Sequence, residues 1–222
     1  MAILFADDFD GEDEGTSPPA NWTVDTSQPP SVNEVDDAQY VSAPYSMKMN
    51  GVGGVYRNFA SGFSTDKISM RKYFTQTTVA SAWFSTQSTE GESTSVNVAI
   101  YMSFSTNGNI FYYGAAGWID TGSNYAAGWH LLEYVHDLAS NTFDAWYDGT
   151  KIITAGGYFG GHTGLASIKQ VEIYVNIADI WVDDVQIGEA TGSWSDTING
   201  VSTPANVNGV AAANINNVNG VS

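Results

Sequence analysis

The sequence predicts an all-β protein: two packed antiparallel sheets forming one sandwich over residues 1–188, followed by an extended C-terminal tail over residues 189–222. Apolar and polar residues alternate along most of the chain, and no helical stripe of ten residues appears. Asn-Gly and Asp-Gly pairs, which accept the left-handed backbone of tight hairpins, separate the alternating runs. Hydrophobic residues make up 43% and aromatic residues 13% of the 222, enough for a core, while charged residues are only 14%. Many one-sided strands bury their apolar faces most simply by packing two sheets together.

The first expected strand covers residues 3–9. Short alternating or β-branched runs follow at 39–42, 46–50, 55–59, 67–74 and 79–85. The clearest pattern is 96–104, where Val96, Val98, Ile100, Met102 and Phe104 face one way and Asn97, Ala99, Tyr101 and Ser103 the other. Asn107-Gly108 predicts a type I′ hairpin returning through 110–113. A strand at 131–136 precedes a second hairpin, 142–147 and 150–153, around Asp148-Gly149. Strands at 171–177 and 179–187 complete the sandwich.

The tail reads differently. From Thr197 to Ser222 there is no charged or aromatic residue. Asn-Gly-Val recurs at Asn199-Gly200-Val201, Asn208-Gly209-Val210 and Asn219-Gly220-Val221. Isolated Val, Ile and Ala side chains cannot build a core alone. Either the tail is a flexible low-complexity segment, or it orders against a partner by adding to sheet edges or wrapping sister chains. The second reading makes these nine residues an assembly segment.

Charge narrows the partners. The net charge is −17, and ten of the 24 acids precede Ala38, before the first basic residue, Lys48. Such a field repels phosphate backbones and anionic membranes, and it admits divalent cations, neutral glycans or a basic protein. The chain has no cysteine, so disulfides and thiolate metal sites are excluded, and folding in a reducing compartment is expected. Met1-Ala2-Ile3-Leu4-Phe5 lacks the basic start and apolar core of a classical signal peptide. The expected location is a virion surface or the extracellular space, reached by lysis rather than classical export.

Trp129-His-Leu-Leu-Glu-Tyr-Val-His-Asp137 with Phe143-Asp-Ala-Trp-Tyr-Asp-Gly149 resembles the laminin-G-like members of the concanavalin A-like lectin/glucanase superfamily. Phe5-Ala-Asp-Asp-Phe-Asp10 with Trp22 looks like the opening strand of such jelly rolls, Tyr45-Ser-Met-Lys-Met-Asn50 like an internal one, and Ile180-Trp-Val-Asp-Asp-Val185 like the closing one. The resemblance covers residues 3–188 and implies an antiparallel jelly-roll sandwich. It leaves function open, since lectins, hydrolases, lyases and structural modules share the superfamily. The Asn-Gly-Val tail resembles C-terminal tails of bacteriophage structural proteins.

The residue types raise four kinds of site. For catalysis, glycosidases of this superfamily carry carboxylates at alternate positions of one strand. No Glu-x-Asp-x-Glu array occurs here; Glu133 stands alone, and Glu172 has no acid two residues away. No enzyme activity is therefore expected. His130 and His136 share a strand face about 20 Å apart, too far for one metal. Calcium has a better donor set, because related jelly rolls pair an acid of the first strand with one of the last. Asp7 or Asp8 with Asp183 or Asp184 would supply hard oxygen ligands, unless these acids only face solvent or loop amides. For glycan binding, Trp118, Tyr125 and Tyr158 are loop aromatics able to offer apolar faces to sugars, with Asp120 and Asn124 as hydrogen-bonding partners. The leading expectation is a non-enzymatic surface structural or adhesion protein, a phage virion decoration or fibre component. A free carbohydrate-binding lectin is the alternative, and a glycoside hydrolase or polysaccharide lyase the third.

Overall fold

The computed structural model describes residues 3–27, 29–63, 66–74, 81–88, 98–176 and 179–189. The fifteen strands among them are β1 (Ile3–Asp7), β2 (Thr23–Val24), β3 (Val32–Asp36), β4 (Ser46–Asn50), β5 (Val52–Phe63), β6 (Asp66–Phe74), β7 (Ser81–Gln87), β8 (Val98–Phe104), β9 (Asn109–Gly114), β10 (Gly117–Asn124), β11 (Gly128–Asp137), β12 (Thr142–Tyr147), β13 (Thr150–Gly157), β14 (Ile168–Asn176) and β15 (Ile180–Glu189). One 3-10 turn, Phe159–Gly161, lies between β13 and β14. No α-helix occurs among the described residues.

Two antiparallel sheets result. The first runs β13-β12-β11-β6-β15-β4-β3, with β1 also pairing β15. The second runs β10-β9-β8-β7-β14-β5-β2. First and last strands pair, Asp7 opposite Val185, so the sandwich closes on its own ends. The predicted all-β sandwich is the observed fold.

Alternation sets the core. On β8, Ile100, Met102 and Phe104 are fully buried, as are Val171, Ile173 and Val175 on β14. Opposite them the first sheet contributes Met47, Met49, Leu132, Tyr134, Val182 and Val185. Burying a side chain of this size stabilises by about 1.5–3 kcal/mol, so the period of two fixes which face each strand turns inward.

The two hairpins differ. At the second, Asp148 and Gly149 both have positive φ, 49° and 76°, as a two-residue type I′ turn demands. At the first, only Gly108 is left-handed, φ 87°, and Ser105 accepts from Gly108 N. The connection between Phe104 and Asn109 is thus longer than the expected type I′ turn.

The strand expected at 39–42 is not formed. Val41 N and Ser42 N donate instead to the Asp183 carboxylate, at 2.7 and 3.0 Å, so the segment spends its amides on a side chain rather than a ladder. β2, β3 and β10 were not expected. The assembly segment Asn199, Gly200, Val201, Asn208, Gly209, Val210, Asn219, Gly220 and Val221 lies outside the described residues.

Candidate glycan-binding face

The face of the second sheet turned away from the core carries polar and aromatic side chains. On β14 the residues alternating with Val171, Ile173 and Val175 are Gln170, Glu172 and Tyr174. Register places Glu172 opposite Tyr56 on β5 and Ser85 on β7, and Ser85 opposite Tyr101 on β8. Met102 stands opposite Tyr112, which carries Tyr101 to the level of Tyr113 on β9, and Tyr113 stands opposite Trp118 on β10. One cross-strand row therefore runs from a carboxylate to an exposed indole.

The indole end is an aromatic cluster. Trp118 is 48% exposed, with its ring 5.2 Å edge-on from Tyr113 and 5.4 Å from Tyr101. Phe159 stacks on Tyr113 at 4.5 Å and meets Tyr101 edge-on at 5.7 Å. Such contacts contribute about 0.5–1.5 kcal/mol each beyond area burial. Phe159 reaches the cluster because its turn is anchored on both sides. Tyr158 before it is buried in the core with its hydroxyl 3.2 Å from His136 Nδ1, and His162 Nδ1 after it donates to Val98 O at 2.9 Å. Gly160 and Gly161 supply the left-handed backbone between, φ 60° and 73°.

Polar groups border the indole. Asp120, two residues along β10, accepts from Asn109 Nδ2 at 3.2 Å and from Gly122 N at 2.8 Å. Both donors are neutral, and Asp120 is exposed. Asn124, also exposed, stands opposite Asn109.

The carboxylate end is closed from water. Glu172 accepts from Gln87 Nε2 at 3.3 Å, and Gly54 leaves the space it occupies: a Cβ there would lie 3.0 Å from Glu172 Oε1 and 3.2 Å from Tyr174 Cδ2. Gln170, opposite Asn58 and Gln87, has both amide atoms without a hydrogen-bond partner among the described residues. Burial, with the nearby Glu172 carboxylate and then Tyr174, pushes the Tyr101 hydroxyl well above its ordinary pKa. Burial and the carboxylates of Asp25 and Glu172 do the same to Tyr174. Two carboxylates thus flank Tyr174, one from β14 and one from the loop after β2.

Of the expected glycan residues, the structure brings Trp118, Asp120 and Asn124 onto β10, a strand rather than a loop. Tyr125 and Tyr158 are corrected. Tyr125 is 3% exposed, its hydroxyl donates to Ser105 O at 2.7 Å, and burial raises its pKa to about 12. Tyr158 is 1% exposed. Both are core rings, not exposed platforms. Tyr101, Tyr113 and Phe159 carry no expected role, and Glu172 enters the sequence reading only as a carboxylate with no acid two residues away. The alternation on β8 already set Tyr101 apart from the core residues, whereas Phe159 carried no signal of its own.

Of the expected calcium pairs, Asp7 and Asp183 are each taken up by hydrogen bonds within the chain. Asp7 accepts from Trp22 Nε1 at 3.0 Å, Asn21 Nδ2 at 3.3 Å and Phe9 N at 3.2 Å, and burial raises its pKa. Asp183 is fully buried, accepts from Val41 N, Ser42 N, Ser42 Oγ and Asp184 N, and is pushed up to about 6, mainly by burial. Asp7 and Asp183 therefore serve donors of their own chain. Asp8 and Asp184 lie together with Asp10, whose pKa rises by burial and then by repulsion from both. Among the described residues no three His, Asp or Glu side chains form a metal-holding group.

No family model matches the chain, and no curated protein matches it. Solved structures resemble it at identities that speak to fold alone. A chain named sialidase aligns with TM-score 0.64 and 13% identity over 84% of this chain, which spans 18% of that one. A glycoside hydrolase family 16 endo-glucanase from Bacteroides ovatus aligns with TM-score 0.58 and 14% identity, covering 83% of this chain and 100% of that one. Domain 4 of AbnA, a GH43 extracellular arabinanase from Geobacillus stearothermophilus in complex with arabinotriose, aligns with TM-score 0.54 and 16% identity over 84% of this chain and 92% of that one. The fold is a jelly-roll sandwich found in glycan-active proteins, consistent with a concanavalin A-like fold. The expectation of a non-enzymatic protein is corrected: the fold is similar to those of chains named sialidase, endo-glucanase and arabinanase. The virion decoration role finds no support in these likenesses.

Proposed function

We propose that the protein binds carbohydrate on the outer face of β8, β9 and β10, with Trp118 as the stacking platform. The observation that carries this reading is an indole about half exposed yet fixed by Tyr101 and Tyr113, which Phe159 holds in turn. A ring already immobilised loses little entropy when a sugar's apolar face stacks on it. Asp120 lies two strand residues away, about 7 Å, roughly the reach of one pyranose ring. Its carboxylate and the neighbouring Asn109 amide then meet sugar hydroxyls while Trp118 covers the ring. Known glycan-active proteins with this fold support the reading by analogy. A glycan array followed by calorimetry tests it. Trp118→Ala is expected to lose binding at least tenfold with the fold intact by circular dichroism, and no signal from either protein sinks the proposal.

A second reading has its own observation, the two carboxylates of Asp25 and Glu172 beside Tyr174. Glycoside hydrolysis uses such a pair as acid and base or nucleophile. Reducing-sugar release from a polysaccharide panel, abolished in Glu172→Gln, supports hydrolysis; no release from any of them removes it.

A further inference from the structure

We infer that the Trp118 face selects neutral glycans and rejects those carrying carboxylate or sulfate groups. This rests on the carbohydrate-binding reading and adds the class of sugar. The sequence holds no Lys or Arg between Lys72 and Lys151, so β8, β9 and β10 contribute no permanent cation. The charges that do face the platform are negative. Asp120 stands exposed beside Trp118 and is bonded, among the described residues, by the neutral donors Asn109 Nδ2 and Gly122 N. Glu172 stands on β14 at the other end of the row.

Nearby bases are engaged elsewhere. Lys151 pairs with Asp144 at 2.6 Å and lies over Trp146 on the first sheet. Arg57 donates to Asn21 O and packs on Phe5 and Phe59. Lys169 lies at the start of β14, four strands from β10 in the sheet order and about 19 Å away by strand spacing. His162, beside Phe159, donates to the Val98 carbonyl. The net charge of −17 adds a long-range field of the same sign. An anionic sugar at Trp118 thus gains no ion pair and meets like charge, whereas a hydroxyl-rich neutral sugar finds acceptors in Asp120 and Asn109. Like-charge contact of this kind discriminates between partners without improving affinity for the favoured one.

The experiment uses the full chain and matched oligosaccharide pairs: a neutral galactose-terminated glycan, and the same glycan bearing terminal sialic acid or sulfate. Affinities are measured by calorimetry at low salt and again at about 0.5 M sodium chloride, where exposed charges are largely screened. Neutral members are expected to bind at least tenfold tighter at low salt, with the gap narrowing in high salt. Asp120→Asn should shrink the gap, and Asp120→Lys should close or reverse it. Equal or tighter binding of the anionic member to wild type at low salt overturns the selectivity while leaving the carbohydrate reading in place. Binding of neither member of any pair overturns both.

Discussion

His136 gives a quantitative handle on the core that carries the binding face. It is 2% exposed on β11, its ring faces Phe63 edge-on at 6.2 Å, and its pKa is lowered by burial to about 3. A base with a depressed folded pKa contributes stability that is present above the unfolded value, near 6.5, and lost as the pH falls below it. Between about pH 6.5 and pH 5 the unfolded chain takes up a proton that the folded chain refuses, about 1.4 kcal/mol per pH unit, hence about 2 kcal/mol in all. His136→Phe keeps the ring volume and removes the titration. It also leaves the Tyr158 hydroxyl without that partner, but this cost does not vary over the same pH range. Urea unfolding of both proteins at about pH 7.5 and pH 5 isolates the effect, because every other titrating group is common to the pair. Wild type should lose about 2 kcal/mol more than the variant on acidification. Equal losses would falsify the buried neutral imidazole.

Asp183 carries the opposite sign. Burial raises its folded pKa to about 6, so its contribution is present below the unfolded value of 3.8 and lost as the pH rises through 6. The stability gap between wild type and Asp183→Ala should widen by about 2–3 kcal/mol from pH 7 down to pH 4, and a narrowing gap contradicts the assignment. Gly54→Ala should cost about 1–3 kcal/mol by overpacking and weaken Glu172-dependent functions, since the new methyl meets Glu172, Tyr174 and the Ile173 carbonyl within 3.3 Å; thermal unfolding at wild-type temperature speaks against it. For calcium, the candidate pair left by these hydrogen bonds is Asp8 with Asp184. A melting temperature raised by calcium in wild type but not in Asp184→Asn supports that pair, and one unmoved by EDTA and calcium removes it.

β8 and β14 were legible because apolar core side chains alternate along them with polar or aromatic ones, although both of their faces are largely buried. The edge strand β10 was not. Most of its side chains are exposed, so no apolar rhythm marks it, and its sequence reads as a loop. The segment at 39–42 failed for the converse reason: its apolar Val41 resembles strand, but its amides belong to a carboxylate far along the chain. The site shows the same limit. Trp118 and Asp120 were visible as residue types able to hold a sugar, whereas Gln87 and Glu172 lie 85 residues apart and meet only through the sheet. Asp25 and Tyr174 are likewise joined only in the fold.

What sorts the aromatic residues into core and surface is strand parity, and Tyr112 and Tyr113 isolate it. The two are adjacent on β9 and chemically identical, yet they face opposite ways. Tyr112 meets Phe143 edge-on at 5.6 Å against the core, while Tyr113 supports Trp118 and stacks on Phe159. Tyr112→Ala should therefore cost about 2–4 kcal/mol of stability through the cavity it leaves, with glycan affinity retained by the molecules still folded. Tyr113→Ala should cost less stability but loosen the indole, lowering affinity severalfold. Urea unfolding and calorimetry on the two variants read both quantities. If the two substitutions shift stability and affinity alike, parity does not separate core from binding face, and the platform assigned to Trp118 loses its physical basis.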